Sequence, residues 1–139
     1  MAPPSTKKQK LSDSQIKDLE VFILSELEHD SDYKRPGASS NIVGVYLNFG
    51  TALKARKKSK YDKIVEFVED SVIGETKEET EESKQDVPFI SERIFTKDNH
   101  IIKFDDIEED ILDEILDSEE MFESPAYIEW EISNHKIIV

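Results

Sequence analysis

Six cations fall within the eleven residues LKARKKSKYDK: Lys54, Arg56, Lys57, Lys58, Lys60 and Lys63. Further along, Asp106, Glu109, Asp110, Asp113, Asp117 and Glu120 recur every three or four residues, a spacing that makes one carboxylate stripe on a helix. The first cluster suits carboxylates or phosphates, and the second suits cations. Neither is arranged for bond-making. The sequence has no phosphate loop, no GxSxG, no HExxH and no dinucleotide fingerprint. His29, His100 and His135 stand singly, without the converging partners a general base or a metal needs. Carboxylates of DDIEED on a straight helix point outward and cannot close on one hard cation. Glu75-Thr-Lys77 has the E-x-K spacing of some nucleases but lies in a polar stretch rather than on a strand. With no cysteine there is no disulfide, thiolate metal site or cysteine nucleophile. The expectation is a non-enzyme without cofactor or metal.

Charge is distributed unevenly. The 139 residues carry a formal net charge of −14. Residues 1–63 hold twelve Lys/Arg and eight Asp/Glu, a net of +4, and residues 64–139 hold six and twenty-four, a net of −18. Between Phe104 and His135 there are thirteen acids and no Lys or Arg. Like charges at i,i+4 cost a few tenths of a kcal/mol each, and acids at a helix C-terminus oppose its dipole. A solvated face held down by the Ile/Leu stripe is the plain account of the acidic residues. Alternatively, cations come from elsewhere: from the 54–63 cluster, or from a basic partner such as a histone, a ribosomal protein or another nucleic-acid-binding protein. A patch of about +5 cannot neutralise a half-chain at −18, so part of the supply is expected from outside. Direct nucleic-acid binding by the basic patch is the weaker alternative, because its surroundings repel phosphates and no aromatic platform is interleaved. Mimicry of nucleic acid, inhibiting a DNA- or RNA-binding enzyme, is another, although only one carboxylate row is evident.

The elements that must position these clusters read as follows. Residues 1–11 read as a disordered basic tail whose Lys7, Lys8 and Lys10 resemble a short nuclear-import signal, which leads to the expectation of an intracellular protein with the nucleus as one option. No apolar run is long enough to span a membrane. Ser12 and Gln15 have capping-box spacing ahead of Ile16, Leu19, Ile23 and Leu27, which predicts a helix ending near His29. Residues 41–53 fit strand alternation and helical recurrence alike, and helix is chosen through Ile42, Val45, Tyr46, Phe49 and Leu53. Ser59 and Asp62 start another helix that Gly74 ends. Residues 46–72 thus resemble one tetratricopeptide helix–turn–helix; without a second copy the reading is an ordinary helical hairpin. Residues 74–87 read as an acidic flexible linker.

The remainder predicts two hairpins around a helix. PFISERIF and HIIKF flank a TKDN turn, DDIEEDILDEILDSEEMF is an amphipathic helix that Pro125 ends, and YIEWEI and KIIV flank SNH. The predicted fold is α+β: a helical segment of two to three helices over 12–73, then a ββαββ antiparallel-sheet unit over 88–139 that packs with it as one domain.

Overall fold

The computed structural model describes residues 19–29, 38–122 and 126–137. The arrangement is α+β, but the predicted order is overturned. The described chain begins with two strands, continues through helices, and closes with a last strand. Strands β1 (Glu20–His29), β2 (Ala38–Tyr46) and β3 (Tyr127–Lys136) form one antiparallel sheet in the order β2-β1-β3. Between β2 and β3 lie helices α1 (Phe49–Ser71), α2 (Lys77–Asp86), α3 (Pro88–Ile94) and α4 (Glu109–Leu116), with a 3-10 turn at Phe104–Asp106. The tail 1–11, the Ser12/Gln15 cap, Pro36, Gly37, Pro125 and the last two residues lie outside the described residues.

The predicted first helix fails because β1 is the central strand. It is hydrogen-bonded on both edges and apolar on both faces, so its run VFIL shows no period that separates strand from helix. Alternate residues Phe22, Leu24 and Glu26 face α1. The Phe22 ring lies 5.4 Å from that of Phe49, Leu24 is fully buried, and Glu26 receives Lys63 at 2.9 Å. In β2, Leu24 pairs with Gly44 and Ser25 with Ile42, leaving Val43 as a bulge. That extra residue puts Ile42 and Val45 on one face although they are three apart, which imitates the helical spacing read from the sequence.

The predicted hairpin at 46–72 is one continuous helix. Asn48 caps α1 by accepting from the Thr51 N–H at 3.1 Å, and beyond Gly50 in the first turn the Lys, Arg and Ala residues are good helix formers with no Gly or Pro to force a turn. The stretch read as a flexible linker holds α2. Its capping box, Thr76 with Glu79, is a signal present in the sequence that outweighs the polar composition. PFISERI, read as a strand, is α3: Pro88 occupies its first turn, and Ile90, Ser91 and Ile94 are buried at helical spacing. HIIKF contributes one isolated bridge, Phe95 to Ile101, beyond a turn where Asn99 has φ 64°. Helix α4 is shorter than the 105–122 expected, and SNH continues β3 instead of turning it. The expected ββαββ unit is therefore absent.

Ile64 and Val68 of α1, with Val72 at its C-cap, pack with Ile90 and Ile94 of α3 and with Leu112, Ile115 and Leu116 of α4, together with Phe95 and Ile107. This is the main core, and Trp130 of β3 reaches its edge. No helix among the described residues is long and apolar enough to cross a membrane.

Candidate functional site

The basic and acidic clusters meet. One face of α1 lies along α4, and the four-residue step on each helix sets Arg56 and Lys60 against Glu109 and Asp113. Arg56 donates through Nε and Nη2 to Glu109 at 2.8 and 3.3 Å. Lys60 Nζ donates to Glu109 Oε2 at 2.8 Å and to Asp113 Oδ1 at 2.7 Å. Lys60 itself is buried, and its ammonium lies 5.8 Å from the centre of the Trp130 ring. Trp130 Nε1 donates to Ser59 Oγ at 2.8 Å, so α1, α4 and β3 converge on this point. Burial pushes the Glu109 carboxyl up, but hydrogen bonds and charge from Arg56 and Lys60 outweigh that and hold it below its ordinary value.

The other cations are placed separately. Lys57 donates to the Phe104 carbonyl at 3.0 Å and sits 4.5 Å from that ring's centre. Lys58 pairs with Asp62 one turn on, at 2.9 Å. Lys63 crosses to the sheet, where Glu26 at 2.9 Å and Glu28 at 3.6 Å receive it. Burial pushes the Lys63 ammonium down, but its bond to Glu26 and the charges of Glu26, Glu28 and Glu66 raise it on balance. Lys54 is exposed on the rim of a shallow hollow lined by Thr51, Ala55 and Phe104.

The predicted carboxylate stripe divides. Glu109 and Asp113 turn to α1, Asp106, Asp110 and Asp117 are exposed, and Glu120 lies past the end of α4. There Glu120 accepts from the backbone N–H groups of Phe89 and Ile90 at 3.0 and 2.9 Å, which fixes the start of α3. Sequence spacing missed this role because it extended the helix through residue 120. Glu120→Ala is expected to lower stability by about 1–2 kcal/mol, as loss of a helix cap does, and Glu120→Gln by less; urea unfolding of the two variants checks it.

Adjacent to the stripe, Asp105, Glu108 and Glu119 are also exposed. Asp105, Asp106, Glu108, Asp110, Asp117 and Glu119 thus form an outward acidic surface, none of them in an ion pair with a described cation. The histidines remain dispersed. His29 stacks on Tyr127 with ring centres 4.1 Å apart, His135 Nε2 lies 3.0 Å from Ser133 Oγ on the exposed side of β3, and His100 is exposed in a turn. Among the described residues no three His, Asp or Glu side chains are grouped to hold a metal ion. No family model matches the chain, and neither a curated protein nor a solved structure proves similar to it.

Proposed function

We propose that the chain is a non-catalytic interaction module, an accessory subunit or chaperone-like binder, that presents carboxylates to a basic protein partner. The observation carrying this reading is the surface of Asp105, Asp106, Glu108, Asp110, Asp117 and Glu119, which stays unpaired with described cations after Arg56, Lys60 and Lys63 have been taken up by Glu109, Asp113 and Glu26. Exposed carboxylates held at fixed spacing on α4 and its flanking turns attract a cationic surface over a Debye length, roughly 8–10 Å at ordinary salt. The same internal pairing takes Arg56, Lys60 and Lys63 out of the basic patch, and so weighs against direct nucleic-acid binding.

The test is salt-dependent binding to core histones, with poly-lysine as a simpler probe. Wild-type protein binds at low salt and releases as ionic strength rises. A variant with Asp105, Asp106, Asp110 and Asp117 all changed to Asn binds at least tenfold more weakly, while its urea midpoint stays close to wild type because all four side chains are exposed. Equal binding by the variant, or none by the wild type, overturns the reading. Loss of a nuclease's DNA binding on addition of the protein, with no histone binding, favours the nucleic-acid mimic instead.

A further inference from the structure

The first half of α1 carries cations and no acid. It lies within residues 33–61, the longest stretch of the sequence without Asp or Glu. Arg56 and Lys60 are taken up by α4. Thr51, Lys54, Ala55 and Lys58 fall three and four residues apart on another face of the helix. With Phe104 opposite, they line a hollow of about 370 Å³ whose accessible wall is carbon. The wall is already fixed. The Phe104 ring has the Lys57 ammonium at 4.5 Å and the edge of Tyr61 at 5.7 Å, and its carbonyl accepts from Lys57 at 3.0 Å. A site ordered before its ligand arrives loses little freedom on binding.

The rim changes sign from one side to the other. On the α1 side, Lys54 is exposed and pairs with no described carboxylate. Lys58 pairs with Asp62, but the two side chains are 54 and 59% exposed, a weak surface pair from which Lys58 can turn to a ligand. On the far side Asp105 and Asp106 follow Phe104 directly, both exposed and both unpaired with a described cation. A polyanion is therefore opposed by Asp105 and Asp106, and a uniform polycation by Lys54 and Lys58. A nucleic-acid base would also set its polar edge against carbon, with no partner for its N–H and C=O groups. An apolar side chain flanked by a carboxylate on one side and a cation on the other meets every part of the rim.

We infer that this hollow is the anchor point for a bipolar segment of the basic protein partner. The segment inserts one large apolar side chain, aromatic for preference, against Phe104. A neighbouring Asp or Glu reaches Lys54 and Lys58, and a neighbouring Lys or Arg reaches Asp105 and Asp106. The inference rests on the basic-partner reading for its cation and adds what that reading lacks, a contact that selects one cationic chain among many. Exposed carboxylates speed encounter and steer it. A single aromatic side chain seated in a fitted pocket is the usual source of the remaining affinity.

Selection from a random peptide library displayed on phage, with the full chain immobilised, tests this. The expected consensus is an aromatic or large aliphatic residue with an acid to one side and a base to the other. A synthetic peptide of that consensus shifts the amide NMR signals of Lys54, Ala55 and Phe104. Lys54→Glu binds it roughly fivefold more weakly and recovers when the peptide's acid is changed to Lys. Circular dichroism stays unchanged, because Lys54 is exposed. Asp105→Asn with Asp106→Asn weakens binding by a similar factor and leaves the preference for an acid in place. A consensus of bases alone overturns the anchor while leaving the acidic-surface reading standing. An apolar consensus indifferent to Lys54→Glu, peptides that bind without moving the Ala55 and Phe104 signals, or no enriched consensus, overturns it as well. So does an oligonucleotide that moves those signals where the peptide does not, which would assign the hollow to nucleic acid.

Discussion

Leu112→Ala is expected to destabilise the protein by about 3–4 kcal/mol, the middle of the usual cost of emptying a packed leucine site. Leu112 is fully buried in α4, within the cluster that joins that helix to α1 and α3. Helix α4 has only eight residues and cannot persist on local propensity, so its apolar side holds it in place. The loss should propagate. Glu109 and Asp113 reach α1 from the same helix, and a loosened α4 weakens both ion pairs. Domains of this kind have roughly 5–15 kcal/mol in total, so the variant should lose a large fraction of its stability. Urea unfolding followed by circular dichroism measures it. A loss below about 1 kcal/mol would show that the site collapses around the smaller side chain and that the helix does not depend on it.

Lys60→Ala is the second large effect. The Lys60 ammonium lies between two carboxylates at 2.8 and 2.7 Å with only 10% of its side chain exposed. Removing one partner of a buried pair costs about 3–5 kcal/mol. Here Glu109 keeps Arg56, and the Asp113 side chain is 48% exposed and can hydrate, so about 2 kcal/mol is expected at neutral pH. Lys60→Met with Asp113→Asn should recover most of the loss, because Arg56 still neutralises Glu109 and no uncompensated charge then remains. The pH dependence follows from Glu109, whose folded carboxyl is held below its ordinary value. A carboxyl depressed on folding contributes stability above its unfolded pKa and loses it as pH falls through the folded one. The difference between wild type and Lys60→Ala should therefore shrink as pH falls from neutral through the ordinary carboxylate range and below it. A difference that stays constant over that range would mean that Lys60 acts through the packing of its stem alone.

The same residues show how far the sequence can be read. YIEWEI alternates because β3 is an outer strand with one face toward α1, so its period is visible. Strand β1 hides its period by being apolar on both faces, and β2 hides it through the Val43 bulge. The docking of cations from 54–63 against the acidic helix was legible as one of two options, because Arg56/Lys60 and Glu109/Asp113 each repeat every four residues. Which cations would cross, and that Lys63 would go to the sheet instead, depends on the position of β1 beside α1, and local spacing carries no information about that. The bond from Trp130 to Ser59 spans 71 residues and has no local signature.

The pairing of β1 with β3 has a consequence during synthesis. Glu20 at one end of β1 lies opposite Lys136. A ribosome adding about ten residues per second leaves β1 without that neighbour for roughly ten seconds after it is made. Strand β2 can reach β1 early, and the helices can assemble meanwhile, but one side of the nascent middle strand must wait for the last residues of the sheet. A chaperone that shields extended apolar segments would find its natural client in that interval.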